Sequence, residues 1–239
     1  MQFIDSHIHL QDYKEKNTQQ IIADLQRMSF FKLVTLATTE DDFTKVAELH
    51  NSYPDLILPA FGIHPWYTAS LSAGWEKSLQ DMLEKYPQSI IGECGLDRIK
   101  GGDINRQKEV LRVHLILAEK LHRPLSLHLL KAEDVWAEMS KGLKVKFVLH
   151  SFSGSSQFLH NIIAKGAYIS LNPSQQKNKN FTLVAQSVPV DKLLVESDAP
   201  YQSNPKDIIG FLNVLADLRK IDVSQLSKQL INNLQEFVK

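Results

Sequence analysis

Eight short apolar runs, each followed by a longer amphipathic stretch, constrain this chain more than any other feature of it. The runs are QFIDSHI, KLVTLAT, LILPAFGI, SIIGECG, PLSLHLL, VKFVLHSF, AYISLN and KLLVESD. Between them lie helical patterns: TQQIIADLQRM, DDFTKVAELHNSY, WEKSLQDMLEKY, RQKEVLRVHLILAEKL, AEDVWAEMSKG, SQFLHNIIAKG and FTLVAQSV. Two more, PKDIIGFLNVLADLRK and SQLSKQLINNLQEFV, follow the last run. Strands that alternate with helices are parallel, because a hairpin cannot join parallel neighbours. Eight such units in 239 residues match the size of a (β/α)8 barrel, so an α/β, TIM-type barrel is expected. A doubly wound open sheet is the alternative. It calls for a glycine-rich turn after the first strand, and SHIHLQDY contains no glycine. No linker-like segment or shift in composition divides the chain, so residues 1–239 read as a single domain.

Lys plus Arg number 27 and Asp plus Glu number 27, a balance that argues against a basic nucleic-acid coat protein while allowing local cationic patches. The single cysteine, Cys94, excludes an internal disulfide and suits a reducing compartment. It has no evident paired base and reads as a small buried residue. MQFIDSHIHL lacks the basic and long apolar segments of a signal peptide, and no run approaches the roughly 18 apolar residues of a membrane span. A cytoplasmic protein is the expectation.

The first run carries Asp5, His7 and His9 on alternate positions, hence on one face, with Ile4, Ile8 and Leu10 on the other. Catalytic groups of a barrel collect at the carboxyl ends of its strands. Those ends hold His7, His9, His64, Glu93, His128, His150 and Asp198. Five of the nine histidines thus fall at strand ends, while His50, His114, His122 and His160 sit in helical patterns as surface or packing residues. Imidazoles and carboxylates converging on one rim suit Zn, Mn, Fe or Co, and carboxylate-rich sites also admit Mg. A divalent-metal centre is expected.

FIDSHIHLQDY, AFGIHPWY, IIGECGLD, LSLHLLKA, VLHSFSGS and LLVESDAPY together resemble, in order, the TatD family of metal-dependent deoxyribonucleases within the amidohydrolase-like superfamily. The blocks run from residue 3 to about residue 201, and LINNLQEF is similar to the family's closing helix. The resemblance implies two divalent ions (Mg2+, Mn2+ or Zn2+). One would be held by His7, His9, Glu93 and Asp198, the other by Glu93, His128 and His150, with Glu93 bridging. Asp198 would also orient the attacking water or take its proton. His64 would meet the substrate phosphate, its alternative being a cap on the HPWY loop. Asp5, Glu196 and Asp97 are candidates for orienting the ligands, or for plain structural hydrogen bonds.

Three departures from the family pattern concern the substrate wall. Arg98 follows GLD where an aromatic is usual, LLKA replaces an Arg-Asp element after His128, and QSNPKD replaces an Arg-Asn-x-Pro loop. Arg98, Lys100, Lys131, Lys177, Lys179 and Lys206 should lie on the catalytic rim, Lys144 and Lys146 on the opposite face. Trp66, Tyr67 and Phe152, in rim loops, are candidates to stack on a base, with packing as the alternative. The implied activity is phosphodiester hydrolysis by a 3′ exonuclease-like DNase acting on single-stranded ends, without an obligate protein partner. Two rival readings stand beside it: a hydrolase of a cyclic amide, lactone or phosphoester, and a non-catalytic metal-binding relative. Many small-molecule relatives use a bridging carboxylated lysine at the fourth strand, where SIIGECGLD offers Glu93.

Overall fold

A computed structural model describes residues 1–239. Its eight strands are β1 (Phe3–Ile8), β2 (Phe30–Leu36), β3 (Ile57–Phe61), β4 (Ile90–Asp97), β5 (Leu125–Leu130), β6 (Phe147–Leu149), β7 (Tyr168–Leu171) and β8 (Leu193–Val195). They form one sheet in chain order, and every adjacent pair is parallel. Helices α1 (Glu15–Arg27), α2 (Glu40–Ser52), α3 (Trp75–Lys85), α4 (Ile104–Leu121), α5 (Glu133–Met139), α6 (Ser156–Ile163) and α7 (Phe181–Ser187) make the crossovers. Two further helices, α8 (Asp207–Arg219) and α9 (Val223–Val238), follow the last strand. All eight strand-like runs and all nine helical patterns of the sequence are realised.

The seam between β1 and the segment after β8 is closed by backbone and side chain together. Asp198 N donates to His7 O at 2.9 Å and His9 N to Ala199 O at 2.8 Å. The Asp5 carboxylate accepts from Ser197 N at 2.9 Å and Ser197 Oγ at 2.5 Å. Asp5 is fully buried, and burial pushes its carboxyl up to about 7 against those hydrogen bonds. Of its two expected roles, Asp5 takes the structural one.

Periodicity explains the helices. In α9 the buried positions Leu226, Leu230, Asn233, Leu234 and Phe237 share one face, and Asp222 caps the first turn by accepting from Gln225 N at 3.0 Å. Asn233 then ties this helix to β8, donating to Val190 O at 2.7 Å and Leu193 O at 2.8 Å. In α2, Asp42 accepts from Thr39 N at 3.2 Å and closes a capping box. Strands β6 and β8 are shorter than their apolar runs. The chain leaves the sheet at Ser151 (φ 46°) and Asp198 (φ 51°), left-handed positions that turn His150 and Asp198 toward the barrel mouth.

Glu93 lies between glycines of β4. At Gly95 (φ 147°) a Cβ would stand 1.9 Å from the carbonyl oxygen of His128. Gly95→Ala should therefore lower stability by about 2–4 kcal/mol, read as a shift in the urea midpoint with unchanged slope.

His114 of α4 is fully buried, donates from Nδ1 to Val110 O at 2.8 Å, and accepts from Ile63 N at 3.0 Å through Nε2. It thereby pins the residue preceding His64. Burial depresses its pKa to about 4. The unfolded imidazole takes a proton near 6.5, well before the folded one does, so no pH-dependent contribution remains above that value. Stability should fall as the pH drops from about 6.5 to 4, by up to about 3 kcal/mol. Urea titrations across that range should show the slope in the wild type and a shallower one in His114→Asn.

Candidate metal centre

At the carboxyl ends of the strands the structure brings together all seven residues expected there. Glu93, on β4, stands at the middle. Its Oε2 lies 3.2 Å from His7 Nε2 and 3.4 Å from His9 Nε2. Its Oε1 lies 2.9 Å from His150 Nε2, 3.2 Å from His128 Nδ1 and 3.3 Å from His64 Nε2. One carboxylate thus offers a separate oxygen to each of two groups of imidazoles. Asp198 joins the first group, its Oδ1 at 3.3 Å from His9 Nε2 and 3.9 Å from His7 Nε2. His7 Nε2 and His9 Nε2 are themselves 3.2 Å apart, as are His128 Nδ1 and His150 Nε2. Ligands bound at about 2.1 Å around one ion sit roughly 3.0–3.4 Å from each other, so both groups have the spacing of a coordination shell.

The outer ring nitrogens are consistent with this arrangement. His9 Nδ1 donates to Leu36 O at 2.9 Å, and His128 Nε2 faces Asp97 Oδ2 at 3.2 Å. His7 Nδ1 is 3.4 Å from Ser126 Oγ, and His150 Nδ1 is 3.5 Å from Glu196 Oε1. A proton held on the outer nitrogen leaves the lone pair of the inner one free to bind a cation. His64 differs. Its Nδ1 accepts from Trp66 N at 3.1 Å, which in the neutral ring puts the proton on Nε2, the atom that faces Glu93. Although His64, Glu93 and His128 are spaced as a possible donor trio, His64 stands as a hydrogen-bond donor rather than a ligand. It also caps the turn at Pro65–Tyr67, the second of its two expected roles.

Electrostatics identifies what the cluster lacks. Glu93, Asp97, Glu196 and Asp198 are all buried, and no Lys or Arg lies within ion-pair distance of any of them. Burial would raise the Glu93 carboxyl, but His64, His150 and His7 outweigh it and hold it well below the usual range. Burial alone would lower His150, yet Glu93 and Glu196 drive it well above its ordinary value. The acids must be balanced by protons on the imidazoles or by cations between the groups. The donor types and spacing fit the latter.

Sequence reading left Asp97 undecided, and the structure resolves it. Its Oδ1 accepts from Ile99 N at 2.7 Å and Lys100 N at 2.9 Å, while Oδ2 accepts from Trp66 Nε1 at 2.6 Å and faces His128 Nε2 at 3.2 Å, so one oxygen fixes both rings. Glu196 accepts from Ser151 N at 2.7 Å while facing His150. Gln202 was not foreseen. It donates to Asp198 Oδ2 at 2.6 Å and Ser151 Oγ at 2.8 Å, and accepts from Asn172 at 2.9 Å. Its only sequence signal is its place four residues after Asp198, within a turn.

The rim differs from expectation in its charges. Arg98 is locked in a two-pronged pair with Asp134 at 2.7 Å, and Lys206 pairs with Asp24 at 2.9 Å. Lys131, Lys177 and Lys179 make no ion pair, and Lys100 lies 4.9 Å above the Trp66 ring. Trp66, Tyr67 and Tyr201 are exposed, with Tyr201 edge-on to His9 at 5.5 Å, whereas Phe152 is buried and packs on Phe158. Phe152 therefore leaves the set of stacking candidates. Asp97→Ala should weaken Zn2+ or Mn2+ binding by about 10–100-fold in calorimetric titration, because the His128 ring loses its anchor.

The model of the family of TatD-related DNases matches residues 4–239. An uncharacterized metal-dependent hydrolase of Haemophilus influenzae is 24% identical over 98% of this chain and 98% of its own length. The 3′-5′ ssDNA/RNA exonuclease TatD of Erwinia tasmaniensis is 25% identical over 78% of this chain and 74% of its own. A solved TatD homologue from Escherichia coli K12 superposes with a TM-score of 0.88 at 28% identity, covering 98% of this chain and 97% of that one. No helix is long and apolar enough to cross a membrane. With this donor set and a family match along nearly its whole length, the chain belongs to the TatD-related DNases and is a metal-dependent hydrolase.

Proposed function

We propose that this protein hydrolyses phosphodiester bonds of DNA, removing nucleotides from the 3′ end of single strands with two divalent ions. The observation that carries the reading is the split of Glu93 between the His7/His9 and His128/His150 groups. His7, His9, Glu93 and Asp198 would hold one ion, and Glu93, His128 and His150 the other. When bound, the ions supply Lewis acidity that lowers the pKa of a water and offsets phosphate charge.

The chain's own side chains divide the remaining work. Asp198 holds one oxygen toward the His9 group and the other toward Gln202, so its carboxylate is fixed in orientation and suited to receive a proton from the attacking water. His64 presents its Nε2 proton to the centre, where it donates to a phosphate oxygen. Trp66, Tyr67 and Tyr201 offer exposed ring faces, each of which can stack a base for about 1–3 kcal/mol irrespective of sequence. The free rim lysines are few, which fits a grip on a strand end rather than coverage of a duplex. The named activity of the Erwinia relative supports the same substrate class.

One observation favours a smaller substrate. Arg98 is neutralised by Asp134, and the rim beside Asp198 is a neutral network of Gln202, Ser151, Asn172 and Ser174. Such a wall suits a compact uncharged ester or lactone better than a polyanion. End-labelled single-stranded DNA incubated with Mg2+, Mn2+ or Zn2+ separates the readings. The proposal expects a ladder of 3′-shortened products and a loss of at least about a hundredfold in Glu93→Ala. Absence of cleavage alongside turnover of a model lactone or phosphoester would shift the assignment to the smaller substrate.

A further inference from the structure

The N-terminal mouth of the barrel, opposite the metal centre, contains a cavity of about 530 Å3. Its walls come from the starts of β2 and β3, the turns preceding β4 and β5, and the last turns of α9. Phe31, Leu58, Leu121, Leu234 and Val238 give it an apolar floor. Its polar groups are Lys32, His50, Gln88, His122, Arg123, Gln235 and Lys239, with no acidic side chain among the lining residues.

The state of those groups sets this cavity apart from an ordinary surface dimple. His50 is saturated, with Nδ1 donating to Ile57 O at 2.7 Å and Nε2 accepting from Gln88 at 2.6 Å. Lys239 is paired with Glu236. Arg123 and Lys32 are not satisfied in this way. The Nε of Arg123 is buried without a hydrogen-bond partner, and no carboxylate lies within ion-pair distance of its guanidinium. Lys32 reaches only a backbone carbonyl, Asp55 O, at 2.5 Å. Burial lowers the pKa of both side chains, and for Arg123 nothing opposes it. Two partly desolvated cations beside one cavity, Arg123 with no opposing charge and Lys32 with only that of Asp55 nearby, carry an electrostatic penalty that an anion seated there would offset. A bare inorganic ion would fill little of the volume, since a water molecule occupies about 30 Å3. The apolar floor calls for a carbon body attached to the anion.

We propose that this cavity is a second ligand site, for a small organic oxyanion whose head is bound by Arg123 and Lys32 and whose apolar body packs on Phe31, Leu58 and Leu234. Arginine's planar fork matches a phosphate or a carboxylate alike, so the head group is defined as an oxyanion. Strands β2 and β3 run from this mouth to the metal centre, but the site is independent of it. It needs no metal, and its ligand need not be a substrate.

Calorimetric titration with phenyl phosphate, benzoate and benzyl alcohol tests the assignment, using Glu93→Ala protein so that the metal centre takes no part. Phenyl phosphate or benzoate should bind, and which of them binds tighter identifies the head group, whereas neutral benzyl alcohol should not. Arg123→Gln and Lys32→Gln, made separately so that one folding failure leaves the other informative, should each weaken binding at least about tenfold with little change in unliganded Tm. The proposal is overturned if neither anion binds below about 5 mM, or if both variants keep the affinity of the parent. It is equally overturned if the anions bind wild-type protein but not Glu93→Ala, because the heat then comes from the metal centre.

Discussion

Four acids buried beside five imidazoles, with no lysine or arginine to balance them, form the constraint around which the upper half of this protein is organised. An uncompensated carboxylate in a dry site is among the most expensive things a fold can contain, and charge must come from somewhere. Protonated imidazoles could supply it in part. They would, however, spend the nitrogen lone pairs that the geometry aims inward. A bound metal cation would resolve the conflict, since it balances the acids and uses the lone pairs at once. The membership of this chain among TatD-related DNases and the electrostatics of its mouth therefore point to one requirement.

The barrel meets that requirement by treating its seam and its site as one construction. Asp5 and Ser197 stitch the first strand to the segment after the last, and the same segment carries Asp198 into the centre. Left-handed backbone at Ser151 and Asp198 ends the sheet early and re-aims His150 and Asp198. Strain of this kind persists only where surrounding contacts over-determine it. Here the contacts are Glu196 on Ser151 N and the backbone bond from Asp198 N to His7 O. Beneath them, His114 holds Ile63 and so sets the approach of His64. His7, His9, His128 and His150 are each oriented by a group from another part of the barrel: Ser126, the Leu36 carbonyl, Asp97 and Glu196.

Around the candidate metal centre, the rim is where the sequence departs from the family resemblance. Arg98 would read as a phosphate-binding group from its position alone, but Asp134, one crossover away in sequence, takes both prongs of its guanidinium. Gln202 and its neighbours line the other side with amides and hydroxyls. The aromatic faces of Trp66, Tyr67 and Tyr201 remain outside. The loops around the donor cluster therefore differ in chemistry from the cluster itself: amides, hydroxyls and exposed rings surround buried imidazoles and carboxylates.

The amino-acid sequence by itself determined the alternation of strands and helices, their number and order, and the chemical types gathered at the strand ends. Those properties follow from local patterns: a near-continuous apolar run such as KLVTLAT marks a strand buried on both faces, and apolar spacing near 3.6 residues in SQLSKQLINNLQEFV marks a helix. Only the tertiary structure decided how the donors group, that Glu93 gives one oxygen to each side, that Asp97 anchors His128, and that Asp5 serves the seam. It alone assigned the His64 proton to Nε2, buried Phe152, and paired Arg98 and Lys206 with acids 36 and 182 positions away. These outcomes depend on closure of the barrel and on the backbone angles of single loop residues, which bring together side chains from 31 to 192 positions apart. No local pattern encodes such a distance.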